Sequence, residues 1–193
     1  PNPSVFSALH VAFDPHPAVE VVQDYFEKLP AFDCMVSAAN SFGIMDGGVD
    51  LAIINYFGMD LQYRVQERII HGFKGEQPVG TSFIVPTQNP RHPYVAHTPT
   101  MRYPLRITRT DNVYNAMFAM LRAVEQHNVS SGKQKIEIVA CPGLGTATGG
   151  VAPMEAARQM ELAYRNFMNP PRSITWKYAK KRQQEIIYGG DVF

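Results

Sequence analysis

Val36-Ser-Ala-Ala-Asn40-Ser-Phe-Gly43-Ile-Met-Asp46-Gly47-Gly48-Val49-Asp50 joins an apolar run to a helical one through a loop that carries glycine. Asp33 to Ala39 reads as a buried strand that ends at Asn40. Val49 to Phe57 and Leu61 to Ile70 have helical spacing, broken near Gly58. The same order recurs later in the chain. Lys135 to Cys141 is a short buried strand, Pro142 to Gly150 a second glycine loop, and Pro153 to about Met168 a helix. That helix has proline in its first turn and Glu155 near its positive end. A strand that feeds a glycine loop and then a helix is the unit of an open parallel sheet, in which ligands bind at the carboxyl ends of strands.

Working outward, Val5 to Phe13 runs apolar or alternates and reads as a strand. The next segment admits two readings. Asp14 can cap a helix with Val19, Val22, Tyr25, Phe26 and Leu29 at near-helical spacing, whereas Val19 to Gln23 is also a strand of β-branched residues. Pro78 to Pro86 and Tyr94 to Thr100 read as strands. Asn112 to His127 is an amphipathic helix with Val113, Met117, Met120, Leu121 and Val124 on one side. Asn169-Pro-Pro-Arg172 stops the preceding helix. Beyond it Ser173 to Gln184 is basic with some helical character, and Gly189-Gly190-Asp191 makes a polar end. The expected division is one domain over residues 1–170 and a basic C-terminal extension over 171–193, packed on that domain or trailing it. Alternating strands and helices give an α/β class, with a mostly parallel sheet between helical layers.

The composition narrows the function. With 45% hydrophobic residues the chain can fill a core. A net charge of +1 argues against bulk nucleic-acid binding; the Lys177 to Arg182 cluster is the one stretch that could touch nucleic acid or a partner. Cys34 and Cys141 read as buried thiols of a reducing compartment, which points to the cytoplasm, or the nucleus in a eukaryote. No apolar run reaches the roughly 20 residues that span a bilayer. The six histidines lack metal-ligand spacing, so no metal is expected; His97, near a strand end, is the one that could reach a cleft. A monomer is expected.

The two loops carry the chemistry. Gly47 and Gly48 open a helix, where bare N–H groups and the positive end of the helix dipole suit a phosphate. Asn40 offers a donor and an acceptor to a sugar hydroxyl, and Asp50, in the first helical turn, can accept from a hydroxyl or water. The plainer alternative is a tight turn with Asp46 or Asp50 capping the helix. The second loop, Gly143-Leu144-Gly145-Thr146-Ala147-Thr148-Gly149-Gly150, has the composition of an anion nest. It lacks the Gly-Lys-Ser/Thr of a Walker loop, and its glycines miss the dinucleotide spacing, so no nucleotide cofactor is expected. Cys141 has no Cys-His-Asn signature beside it and reads as a strand-end thiol.

Together these segments resemble a macrodomain. Ser37-Ala-Ala-Asn40 to Gly47-Gly48-Val49-Asp50 is similar to that family's first ligand loop, and Gly143-Leu-Gly145-Thr146 to its second. The likeness extends through Pro78 to Thr87, Pro99-Thr-Met101 and the helix from Pro153, covering about residues 5–168. The resemblance implies a three-layer α/β/α sandwich around a mixed, mostly parallel sheet of six or seven strands. It implies that Asn40 binds the distal ribose and that Asp50 matches the aspartate that activates water in hydrolytic members. Ala39, Gly47, Gly48 and Val49 would line the diphosphate and distal ribose, and Gly143 to Gly149 would wrap the diphosphate from the other side. The family's adenine-reading acid falls at Tyr25, with Asp24 one residue early. Where many members have an aromatic over the ribose, this chain has Gly149-Gly150-Val151, and Phe42 is the substitute wall.

The function implied is binding of ADP-ribose or an ADP-ribosylated protein, with hydrolysis of ADP-ribose from proteins or small esters through Asn40 and Asp50. The alternatives are a binding module without catalysis, a phosphatase acting on ADP-ribose 1″-phosphate, and an interaction domain with a vestigial cleft.

Overall fold

The computed structural model describes residues 1–130 and 132–186. The helices are α1 (Pro3–Phe13), α2 (Gly48–Phe57), α3 (Asp60–Phe73), α4 (Asn112–Val129), α5 (Pro153–Met168) and α6 (Trp176–Ile186). The strands are β1 (Cys34–Asn40), β2 (Phe83–Pro86), β3 (Tyr94–Met101) and β4 (Val139–Ala140). They form one sheet in the order β2-β3-β1-β4. β1 is parallel to both neighbours, and β2 closes the far edge antiparallel to β3.

Both faces of the sheet are covered, as the α/β/α class requires. One face, through Cys34, Val36 and Ala96, joins a core with Phe13 of α1, Met117 and Met120 of α4, and Met160 of α5. The other, through Met35, Val95 and Val85, packs on Ile53 of α2 and Leu61 and Val65 of α3. Gly58, with φ +93, separates α2 from α3 where the break was expected. Among the described residues no helix is long and apolar enough to cross a membrane.

The described sheet has four strands where six or seven were expected, and four readings change. Residues 5–13 are helix: Asn2 Oδ1 accepts from the N–H groups of Ser4 and Val5, Pro3 fixes the first turn, and Ala8 and Phe13 are buried. Val5, Ala8, Leu9, Ala12 and Phe13 lie on one helical stripe, a period that the apolar run masks. Residues 19–23 are neither helix nor strand. Of Lys135 to Cys141 only Val139 and Ala140 join the ladder. Asp33 Oδ2 accepts from Glu137 N–H at 2.7 Å and Ile138 N–H at 2.8 Å, and the Asn128 carboxamide takes both backbone groups of Ile136. Side chains thus satisfy donors and acceptors that a longer strand would have paired. The expected strand from Pro78 likewise begins only at Phe83.

The C-terminal helix α6 returns to the domain. The Arg158 side chain donates to the carbonyls of Glu185 and Ile186, and Arg182 to the Tyr114 hydroxyl at 2.7 Å. The expected polar end at Gly189-Gly190-Asp191 lies outside the described residues.

Candidate functional site

β1 and β4 are adjacent and parallel, with Cys34 opposite Val139 and Met35 opposite Ala140. The first and second glycine loops therefore leave the same edge of the sheet, at the carboxyl ends of neighbouring strands.

The first loop is ordered by its own backbone and by α3. Asn40 Oδ1 accepts from Phe42 N–H at 3.0 Å and Ile44 N–H at 3.4 Å, and its Nδ2 donates to the Ile44 carbonyl at 2.7 Å. The Asn40 amide is thus occupied in shaping the loop, not displayed as a free donor and acceptor. Met45 N–H donates to Gln62 Oε1 of α3 at 2.7 Å, and Gln77 N–H to the Ser41 carbonyl at 2.9 Å. Gly43, with φ +64, packs so closely on α3 that a Cβ would come within 2.8 Å of Val65.

Gly47 and Gly48 differ from Gly43. A Cβ on either would meet nothing within 4 Å. Gly47 is the N-cap of α2, and among the described residues no side chain caps that terminus. Among the described residues neither Asp46 nor Asp50 caps it, which removes the capping part of the plainer reading. The Gly47–Gly48 start of α2 borders open space, and among the described residues no side chain caps its N–H groups.

Asp50 turns the other way. It is only 6% exposed and accepts a 2.7 Å hydrogen bond from Ser37 Oγ of β1. Its Oδ2 makes no further hydrogen bond among the described residues. Burial pushes the Asp50 carboxyl up to about 6; the Ser37 bond opposes this, and the Asp46 charge adds to it. Nothing in a one-letter string marks Ser37 as a partner for a residue on the next helix.

The second loop is packed inward. Leu144 is fully buried. A Cβ on Gly143 would lie 2.6 Å from Val5, on Gly145 2.8 Å from Val113, and on Gly149 2.5 Å from the Gly145 carbonyl oxygen. Thr146 Oγ donates to the Gly143 carbonyl, and Ile107 N–H to that of Gly149. Ala147 and Thr148 are the exposed tip. Gly150, at φ +63, lies against the exposed Arg106, whose guanidinium is 3.1 Å from where a Cβ would stand. Arg106 was missed because it lies far away in sequence, in a stretch with no periodicity.

The remaining candidates fall elsewhere. Asp24 and Tyr25 are exposed; Asp24 Oδ1 accepts from Tyr25 N–H and sits 3.7 Å from Lys28 Nζ. The adjoining Phe26 stacks on Phe57 and meets Tyr56 edge-on, at the end of α2 away from Gly48. The structure therefore does not bring Asp24 and Tyr25 together with the loops. Phe42 is half-buried under the Arg102 guanidinium, which pairs with Glu76 through two bonds. Ala39 is buried in β1, and Val49 is half-buried against the core. His97 does not reach a cleft: it is fully buried, stacked on Phe83, with Nδ1 2.6 Å from Gln77 Oε1. Burial lowers His97 to about 3, so its ring is neutral, and raises the Cys141 thiol to about 12, which leaves no thiolate nucleophile at neutral pH. Among the described residues no His, Cys, Asp and Glu cluster could hold a metal.

Against known families, residues 36–160 match the Macro domain model. An uncharacterized protein of Aquifex aeolicus (strain VF5) is 32% identical over 149 residues, 77% of this chain and 82% of that protein. Among solved structures, the macrodomain of Mycobacterium tuberculosis DarG superposes with a TM-score of 0.62 at 17% identity, over 75% of this chain and 88% of that one. A mutant Oceanobacillus iheyensis macrodomain with ADPR gives 0.59 at 20% identity, over 81% and 85%.

Proposed function

On the premise that the chain belongs to the Macro domain family, we propose that it binds ADP-ribose between its two glycine loops and hydrolyses the bond joining the distal ribose to a carrier. The observation that carries the proposal is the pairing at α2: an uncapped helix start that faces open space, with the buried Asp50 carboxylate held by Ser37 one turn in. The first feature suits a diphosphate, which accepts from unpaired N–H groups and is favoured by the positive end of the dipole. The second suits a base, because a carboxyl near 6 is ionised at neutral pH yet a better proton acceptor than an ordinary aspartate. The ADPR in the Oceanobacillus structure supplies the ligand class.

In this reading the diphosphate sits on the N–H groups at Gly48 and Val49, with Arg106 beside Gly150 offsetting its charge from the second loop. Water activated by Asp50 Oδ2 attacks the anomeric carbon of the distal ribose, and the carrier leaves with the bonding electron pair. Asn40 shapes the loop and contributes to ribose binding by exchanging its bond to Ile44 for one to a hydroxyl. The adenine is read by contacts other than Asp24 and Tyr25. A binding module without catalysis is the second reading, favoured by the engagement of the Asn40 amide within its own loop.

Two measurements separate these readings. Calorimetry with ADP-ribose tests the site, and no heat of binding would sink both. Release of ADP-ribose from a modified protein tests the chemistry. General-base help is worth roughly 10²–10⁴ in rate, so Asp50→Ala should lose about that much. Equal release by wild type and Asp50→Ala would leave only the binding module.

A further inference from the structure

The net charge of +1 conceals a division. Residues 172–186 hold five of the chain's eighteen Lys and Arg and one of its seventeen Asp and Glu, so they carry +4 while the rest carries −3. The same segment carries the chain's only tryptophan, Trp176, which is 92% exposed and the most exposed large apolar side chain among the described residues.

The helix fixes which side is presented. Arg182 donates to Tyr114, and the carbonyl of Glu185 accepts from Arg158, so the side of α6 bearing Tyr178, Arg182 and Glu185 is turned to the domain. Trp176, Lys177, Lys180 and Lys181 occupy the exposed side. Trp176 and Lys180 are one turn apart, as are Lys177 and Lys181, which spaces the charges about 5–6 Å apart along the helix. Arg172, Lys177 and Lys180 make no ion pair among the described residues, and Lys181 has only Glu185 at 3.8 Å.

We propose that the exposed stripe of α6 is a docking surface for single-stranded nucleic acid, with the Trp176 indole stacking on a base and Arg172, Lys177, Lys180 and Lys181 contacting phosphates. The combination of a free aromatic plane with cations of which, among the described residues, only Lys181 has a partner selects the occupant. Bases in a single strand offer their faces, whereas those of a duplex are already stacked on one another. An acidic peptide would use the cations and leave the indole in water. An anionic bilayer would need a continuous apolar face, whereas Tyr178, Ala179 and Ile186 of α6 are half-buried and only Ile174, just before the helix, adds an exposed apolar side chain beside Trp176.

Because Trp176 is the sole tryptophan, its fluorescence reports directly on the contact. The full chain is titrated with a mixed-sequence single-stranded DNA of about 15 nucleotides. Saturable quenching is expected, weakening with salt at a slope near −2 to −3 in log K against log salt, as about three or four phosphate contacts give. Trp176→Ala, followed by anisotropy of a labelled strand, should bind about 10- to 100-fold more weakly with an unchanged melt. K177A, K180A and K181A combined should flatten the salt slope. Absence of quenching at low salt would overturn the proposal. So would tighter binding to phosphatidylglycerol vesicles or to polyglutamate than to the strand, or unweakened binding by Trp176→Ala.

Discussion

Replacing Asp50 by Asn should make the protein more stable while removing the proposed hydrolytic activity. Asp50 is held at about 6 in the folded chain against an ordinary 3.8. A group whose pKa is raised by folding favours the native state below its unfolded value and loses that contribution as pH rises through its folded value. The penalty for keeping Asp50 ionised and buried therefore grows from about pH 4 and levels off above about pH 6. At 1.36 kcal/mol per unit, the full gap is about 3 kcal/mol at pH 7.5 and only about 1 kcal/mol at pH 4.5. Asparagine has no charge to desolvate, and its Oδ1 can accept from Ser37 Oγ as the carboxylate does. For a chain of 193 residues, 3 kcal/mol corresponds to a Tm rise of roughly 6–12 °C. Glu76 and Glu155, which are held below their ordinary range by Arg102 and Arg158, titrate in the opposite sense. They are common to both proteins and cancel in the difference. The assay is a pair of melts at pH 4.5 and 7.5. A Tm gain that is absent, or equal at the two pH values, would show that Asp50 is not a desolvated carboxylate, and its proposed role as a tuned base would go with it.

Ser37→Ala removes the donor that favours the Asp50 carboxylate, so the Asp50 pKa should climb and carry upward the acidic limb of the proposed hydrolysis; carbon NMR titration of the carboxyl reads this without any ligand. The same change should cost about 1–3 kcal/mol at pH 8 and less at pH 4.5. Gly48→Glu places a side chain at φ +57, which costs about 1–2 kcal/mol in a melt. Its charge, about 4 Å from a phosphate, should weaken ADP-ribose by roughly a thousandfold in calorimetry, while Gly48→Ala shows the strain alone. Gly149→Ala sets a Cβ 2.5 Å from the Gly145 carbonyl and should destabilise by about 1–3 kcal/mol or more, whereas Gly47→Ala, with open space around it, should leave the Tm nearly unchanged.

The elements that the sequence declares are those with local start and stop signals. Pro153 opens α5 and the Asn169-Pro-Pro segment follows its end, so both bounds could be read directly. Gly58 divides α2 from α3 for the same reason. Where distant side chains decide, the string is silent. Residues 135–138 have the composition of a strand, yet Asp33 and Asn128 take their backbone groups. Val5 to Phe13 shows how an apolar run supports two periods at once, until the Asn2 cap chooses the helix.

The glycines make the same point at the site, where one letter stands for two opposed constraints. At Gly47 and Gly48 the missing Cβ leaves space on the solvent side, where a ligand can approach the backbone. At Gly143, Gly145 and Gly149 it leaves space on the protein side, already filled by Val5, Val113 and the loop's own carbonyl. The resemblance to macrodomains assigns all five to the ligand. The structure divides them. The first loop leaves bare N–H groups and keeps the buried acid beneath them. The second is a rigid wall whose exposed tip is only Ala147 and Thr148, with Arg106 as the nearby charge. Affinity should therefore be sensitive to bulk at Gly48 through direct contact. Bulk at Gly149 should act through displacement of Ile107 and the loop packed on it, so its effect on binding should scale with its effect on the melt, and that of Gly48 should not.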